Sequence, residues 1–202
     1  MTQQFVLATR NKHKAKELQR ILREQNLKIE ILTLDSFSKA PKVVETESTF
    51  EGNALLKARA ICAHTGLPAI ADDSGLCVNS LNGMPGVLSA RWSAANKHID
   101  QENLELVLKQ IEDVPDVRRG AQFVCKAVAV FPDGTEIIAG GTVEGNIVRK
   151  PRGKNGFGYD PIFQPIDSLR TTAEMSDDEK DAISHRGKAL KDLARQLAGV
   201  IS

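Results

Sequence analysis

Two long runs rich in valine and isoleucine, residues 121–131 and 135–148, flank the tripeptide Pro132-Asp133-Gly134. Proline presets one turn dihedral, and Asp-Gly accepts the backbone conformations that a tight reversal needs. The two runs therefore read as an antiparallel hairpin, and any fold this chain adopts must contain that pairing. Upstream, the pattern alternates between strand and helix. Phe5-Val6-Leu7-Ala8 is a short apolar run, followed by a helical stripe of Ala15, Leu18, Ile21 and Leu22. Residues 28–32 suggest a second strand, and residues 34–44 a loop. Ser48-Thr49-Phe50-Glu51 reads as a capping box for a helix whose buried stripe is Ala54, Ala58, Ile61, Cys62 and Thr65. Gly66 closes that helix and Pro68 prevents its continuation. The hairpin makes the sheet mixed rather than purely parallel, so the expected class is α/β. No linker divides the chain, which gives one domain over residues 1–202.

Composition limits the function classes. The chain has 202 residues, 41% hydrophobic and 26% charged, with a formal net charge of +1. No global field advertises nucleic acid or an acidic partner, so any anion site must be local. The cysteines at 62, 77 and 125 form no CxxC, which favours three reduced, buried thiols over a zinc ribbon or a disulfide framework. No apolar run approaches the ~18 residues of a membrane span. The expected location is the cytoplasm.

The chemistry concentrates in a few stretches. Residues 67–76 run from a short apolar segment into Asp72-Asp73-Ser74-Gly75. Two adjacent acids ending a buried strand repel each other unless a cation or donor lies between them, and consecutive strand residues face opposite sides. The alternative is an ordinary turn. Thr9, Asn11 and Lys14 stand where the first strand gives way to a helix, a place suited to phosphate, although Asn11 can equally be a plain N-cap. Glu45 and Glu47 precede the next helix, as helix-start acids or as metal carboxylates. Residues 149–160 collect four cations, three glycines and two aromatics, either a flexible basic loop or a surface on which a base can stack. Ser176 and Glu179 form another capping box, followed by Lys180. Ser184 can cap a last helix, with Leu190, Leu193, Ala194 and Leu197 buried. His185, Arg186 and Lys188 in its first turn oppose the helix dipole, so an anionic or carbonyl ligand is expected to offset them.

Together these pieces resemble the inosine triphosphate pyrophosphatase family. The motifs are Thr9-x-Asn11-x-x-Lys14, Ala71-Asp72-Asp73-Ser74-Gly75-Leu76, Pro85-Gly86 with Ser89-Ala90-Arg91, Gly156-Phe157-Gly158-Tyr159-Asp160-Pro161, and Glu179-Lys180 with Ile183-Ser184-His185-Arg186-Gly187. The resemblance covers about residues 5–194. It implies a two-lobed α/β fold on a long mixed sheet flanked by helices, with the active cleft between the lobes, and a homodimer. It also implies Mg²⁺-dependent hydrolysis of dITP, ITP and XTP to the monophosphate and pyrophosphate. Thr9, Asn11 and Lys14 would then hold the triphosphate, with Arg10 and Ser74 as further substrate contacts. Asp73 would be general base and metal ligand, and Glu45 would complete the metal site, with Glu47 as its rival. Phe157 would stack on the base within the run Phe157-Gly158-Tyr159-Asp160, while Asp160, Lys180, His185 and Arg186 would read its edge. Two departures stand out. Arg10 replaces a glycine often found between the threonine and the asparagine, and Gly52 stands where many relatives have glutamate. The competing expectation, from another class, is a single-stranded nucleic-acid-binding module that uses the loop at 149–160. No membrane and no stable nucleic-acid partner are expected of the enzyme.

Overall fold

A computed structural model describes residues 3–25, 27–94 and 99–200. Among them the chain forms strands β1 (Gln3–Leu7), β2 (Ile29–Thr33), β3 (Ala69–Val78), β4 (Gly120–Val130), β5 (Glu136–Ile147) and β6 (Phe163–Pro165). The helices are α1 (Lys12–Arg23), α2 (Phe50–Thr65), α3 (Ile99–Gln110), α4 (Asp177–Ile183) and α5 (His185–Ala198). One six-stranded sheet has the order β2-β1-β3-β4-β5-β6. β1 pairs in parallel with β2 (Phe5 beside Ile31) and with β3 (Val6 beside Ala69). β5 and β6 pair antiparallel, Ile147 beside Phe163. The β4–β5 connection turns at Phe131, whose N–H donates to Thr135 O, and Gly134 takes φ +88°. The expected mixed α/β sheet is thus present.

By contacts the chain divides into two compact units. The first contains residues 1–73, 125–141 and 186–202, and the second contains residues 74–124 and 142–185. Each has its own apolar core. In the first unit, Phe5, Leu7 and Ile70 pack with Leu18, Ile21 and Leu22 of α1 and with Leu190, Leu193 and Leu197 of α5. A second cluster there joins Val6, Ala69 and Ala71 to Ala54, Ala58 and Ile61 of α2. In the second unit, Leu76 and Val78 pack with Leu104, Val107 and Ile111 of α3 and with Ile162 and Phe163. The helices α1, α2 and α5 are therefore the ones the apolar stripes predict.

Three local expectations change. The helix α2 is capped by Thr49, whose Oγ1 accepts from Gly52 N–H at 3.0 Å, rather than by Ser48. The start lies one residue later, so the third helical position falls on Gly52, which has no side chain to close a box. Residues 72–75 do not turn: β3 runs through both acids to Val78. Cys62 and Cys125 are buried thiols, as expected, but Cys77 is only half-buried, and all three are free.

Candidate active site

Because β3 is extended, Asp72 and Asp73 leave it on opposite faces. In the first unit Asp72 meets two cations. Its Oδ2 lies 3.2 Å from Lys14 Nζ and 3.2 Å from Arg186 Nε. Arg186, buried at the start of α5, also forms a short ion pair with Glu17 Oε2 of α1. Burial by itself would raise the pKa of Asp72. Lys14 foremost, then Arg186 and Lys57, outweigh it and hold the carboxyl well below the usual carboxylate range.

Asp73 has a different environment. Its Oδ1 stands 3.5 Å from Lys57 Nζ, which also contacts Glu45 Oε1 at 2.8 Å. Oδ2 of Asp73 is buried and has no hydrogen-bond partner. Burial raises its pKa, and Lys57 and Lys14 only partly counter this, with Glu45 and Asp72 adding to the rise. The neighbouring acids are thus split into an anchored anion and a carboxylate poised to take a proton. Surrounded by three carboxylates, the Lys57 ammonium is held protonated, its pKa raised although burial opposes it.

The junction between β1 and α1 forms the expected helix-end loop. Thr9 Oγ1 accepts from Asn11 N–H, and Asn11 Oδ1 accepts from the N–H groups of His13 and Lys14. Asn11 is therefore the N-cap. The first turn of α1 holds Lys12, His13 and Lys14 with no acid, an arrangement that an anion would relieve. Arg10 reaches back to the chain, its Nη2 donating to Ala40 O at 2.6 Å.

Glu45 rides on an irregular segment that α2 holds. The fully buried Asn53 clasps Glu47 through both backbone groups, Glu47 N–H to Oδ1 at 2.9 Å and Nδ2 to Glu47 O at 3.2 Å. Gly52 lies under the Glu47 side chain, whose Cβ would be 2.8 Å from any Cβ added there. Glu47 itself is exposed and acts electrostatically on Arg59. Glu45, not Glu47, therefore shares a cation with Asp73. Among the described residues no three His, Cys, Asp or Glu side chains could hold a metal by themselves. Two carboxylates, one with an unpartnered buried oxygen, fit a hard cation that takes its remaining ligands from phosphate and water, the habit of Mg²⁺.

The second unit gathers the other candidates. Asp160 is buried, its Oδ2 accepting from Phe157 N–H and from Lys180 Nζ, both at 2.8 Å, and its Oδ1 from Thr172 Oγ1 at 2.8 Å. Gly156, at φ +74°, cannot carry a Cβ, which would strike the Asp160 carboxylate. Lys180 Nζ lies 5.0 Å from the centre of the half-buried Phe157 ring. Gly158 N–H donates to Asp100. Tyr159 is core, its hydroxyl donating to Ser89 O at 2.9 Å. His185 stacks on Phe123 at 4.7 Å. Ser74 is part-buried within β3. Arg186, expected to read the base edge with Lys180 and His185, forms ion pairs with Asp72 and Glu17 in the first unit. For Arg186 the offset is supplied by the chain's own carboxylates.

Within residues 149–160, part of the basic character is taken up by the chain itself. Arg149 pairs with Asp116 at 2.7 Å, Arg152 contacts Gln164 and Glu174, and Tyr159 is buried. Half of the cations that motivated a nucleic-acid surface are thus engaged at home.

Three residues of this constellation were not anticipated: Lys57, Asn53 and Glu17. Their signal was legible. Asn53, Lys57 and Ile61 succeed one another at four-residue spacing on α2, and Glu17 precedes Ile21 by the same step. A polar or charged side chain on a core-facing stripe must meet a partner.

A mixed α/β sheet, paired acids on a central strand and cations at a helix start define an α/β protein with a cationic helix end beside buried carboxylates. More particularly, the chain belongs to the Ham1 family, whose model matches residues 5–196. It is 50% identical to a dITP/XTP pyrophosphatase of Streptomyces coelicolor, covering 96% of this chain and 98% of that one. It is 52% identical to one from Cutibacterium acnes, covering 93% and 92%. A HAM1 protein from Coxiella burnetii superposes with a TM-score of 0.88 at 44% identity, covering 98% of this chain and 99% of that one.

Proposed function

We propose that this protein is a nucleoside-triphosphate pyrophosphohydrolase that removes non-standard purine nucleotides, dITP, ITP and XTP, by releasing pyrophosphate and leaving the monophosphate. The observation that carries the reading is Asp73, a buried carboxylate with a raised pKa and one unpartnered oxygen, sharing Lys57 with Glu45. Relatives named dITP/XTP pyrophosphatase at about half identity over almost the whole chain support it.

Thr9, Asn11 and the N–H groups opening α1 would bind the phosphates, with Lys14 and Lys57 balancing their charge. Asp73 would accept the proton of the attacking water, a task that favours a carboxylate less acidic than usual. Asp72 would stay ionised and keep Lys14 in place. Glu45 and Asp73 would hold Mg²⁺, which polarises the phosphoryl oxygens when bound. Phe157 would stack on the base, and Lys180, fixed by Asp160, would donate to the 6-keto oxygen of hypoxanthine or xanthine. An adenine would offer that donor an amino group instead. Mismatches of this kind discriminate by about 10⁴ where size alone cannot.

Among the described residues no helix is long and apolar enough to cross a membrane. A cytoplasmic enzyme is consistent with three free thiols. A homodimer is supported by large apolar side chains left in solvent on the second unit, Val117 (94% exposed), Leu169 (88%) and Ile166 (64%). Light scattering on the purified chain tests it.

The deciding experiment measures pyrophosphate and orthophosphate release from dITP, XTP, ITP, dGTP and dATP, with and without Mg²⁺. Metal-dependent pyrophosphate release from the first three is expected. A diphosphate product with orthophosphate would overturn the bond assignment.

A further inference from the structure

We propose that Arg10 is a positioning residue that fastens the segment carrying Glu45 to the phosphate loop. Arg10 stands between Thr9 and Asn11, the two residues that shape the start of α1. Its Nη2 donates to Ala40 O at 2.6 Å and reaches Pro41 O at 3.5 Å, the outer limit of a hydrogen bond. Ala40 is buried among Val6, Ala8 and Leu34, so this end of the segment is seated in the core of the first unit. At the other end Asn53 clasps Glu47. Residues 41–46 between the two anchors have no regular structure, and Glu45 is among them. Glu45 is thus placed by one tie from α2 and one from the phosphate loop itself.

A glycine at position 10 could not make the second tie. In this chain the guanidinium links the loop proposed to receive phosphate to the carboxylate proposed to receive the cation. A phosphate that shifts the first would be felt by the second. The role rests on the function proposed above, but its structural half is testable without substrate.

The test compares wild type, Arg10→Ala and Arg10→Lys. Amide hydrogen exchange is followed in the ligand-free protein, and kcat, KM and inhibition by inorganic triphosphate are measured with dITP. For Arg10→Ala, exchange across residues 38–46 should quicken by about tenfold while that of α2 and β3 stays unchanged. kcat should fall by about 10- to 100-fold, with KM and triphosphate inhibition within about threefold of wild type, because a misplaced carboxylate costs turnover rather than binding. Arg10→Lys, which keeps a donor, should recover part of both effects. Unchanged exchange would overturn the proposal, as would faster exchange with wild-type kcat. A raised KM and weakened triphosphate inhibition with kcat intact would make Arg10 a phosphate ligand instead. Faster exchange throughout the protein would reduce it to general stability. If dITP is not a substrate, the exchange result still decides the tie, and the failure falls on the proposed reaction.

Discussion

Asp72 and Asp73 are neighbours in sequence with opposite electrostatic fates, and the difference is one of company. Asp72 has Lys14 and Arg186, while Asp73 has the shared Lys57 and a buried bare oxygen. A carboxylate whose pKa is raised by folding opposes stability once it ionises, and the loss grows as pH rises through its native value. Asp73→Asn should therefore lose ~10² or more in kcat yet unfold at a higher temperature near pH 7, measured with chelator present. A lowered melting temperature would contradict the strained-carboxylate reading. Lys57 favours the ionised form of Asp73, so Lys57→Gln should move the acidic limb of the kcat/KM profile to higher pH. An unmoved limb would assign the proton acceptor elsewhere. Under the proposed function, Lys180 would read the base and Lys14 would bind phosphate. Lys180→Ala should reduce kcat/KM for dITP and XTP far more than for dATP, whereas Lys14→Ala should weaken every triphosphate by a similar factor. Equal losses across substrates for Lys180→Ala would remove it from base reading.

At the scale of elements, α2 does more than cover the sheet. Its first turn presents Asn53 to the backbone of Glu47, its second presents Lys57 to the acids, and its stripe of Ala54, Ala58 and Ile61 packs against β1 and β3. Asn53→Ala would leave an N–H and a carbonyl of Glu47 without partners, costing about 1–3 kcal/mol in chemical denaturation. It should also lower kcat through Glu45. A variant with unchanged stability and turnover would show that the segment is held without the clasp. In α5 the first-turn cation Arg186 is balanced by Glu17 of α1 and Asp72 of β3.

For the molecule as a whole, the Glu17–Arg186–Asp72–Lys14 chain joins α1, α5 and β3 inside the first unit. Asp72 is ionised far below the pH at which it would protonate when unfolded, about 3.9. Its contribution to stability is complete above that value and is lost as pH falls below it. Asp72→Asn should be less stable than wild type at pH 7, and its stability should decline less between pH 5 and pH 3. Denaturant titrations across that range check the slope. A variant as acid-sensitive as wild type would place the acid-labile group elsewhere.

The sequence determined the elements, because their signals are local. Apolar spacing at three and four residues built α1, α2 and α5, Pro132-Asp133-Gly134 made the hairpin, and Gly66 ended α2. It also marked Asp73, Lys14, Phe157 and Lys180 through short motifs. What it left open depended on partners distant along the chain. Arg186 meets Asp72 across 114 residues and Glu17 across 169, so its place with the acids rather than with Lys180 follows from tertiary packing. Glu45 and Glu47 have the same chemistry two residues apart, and only the Asn53 clasp and Lys57 separate their roles. Local rules fix which elements form, but which buried charges meet is set by the fold, since an ion pair needs proximity that sequence spacing does not encode.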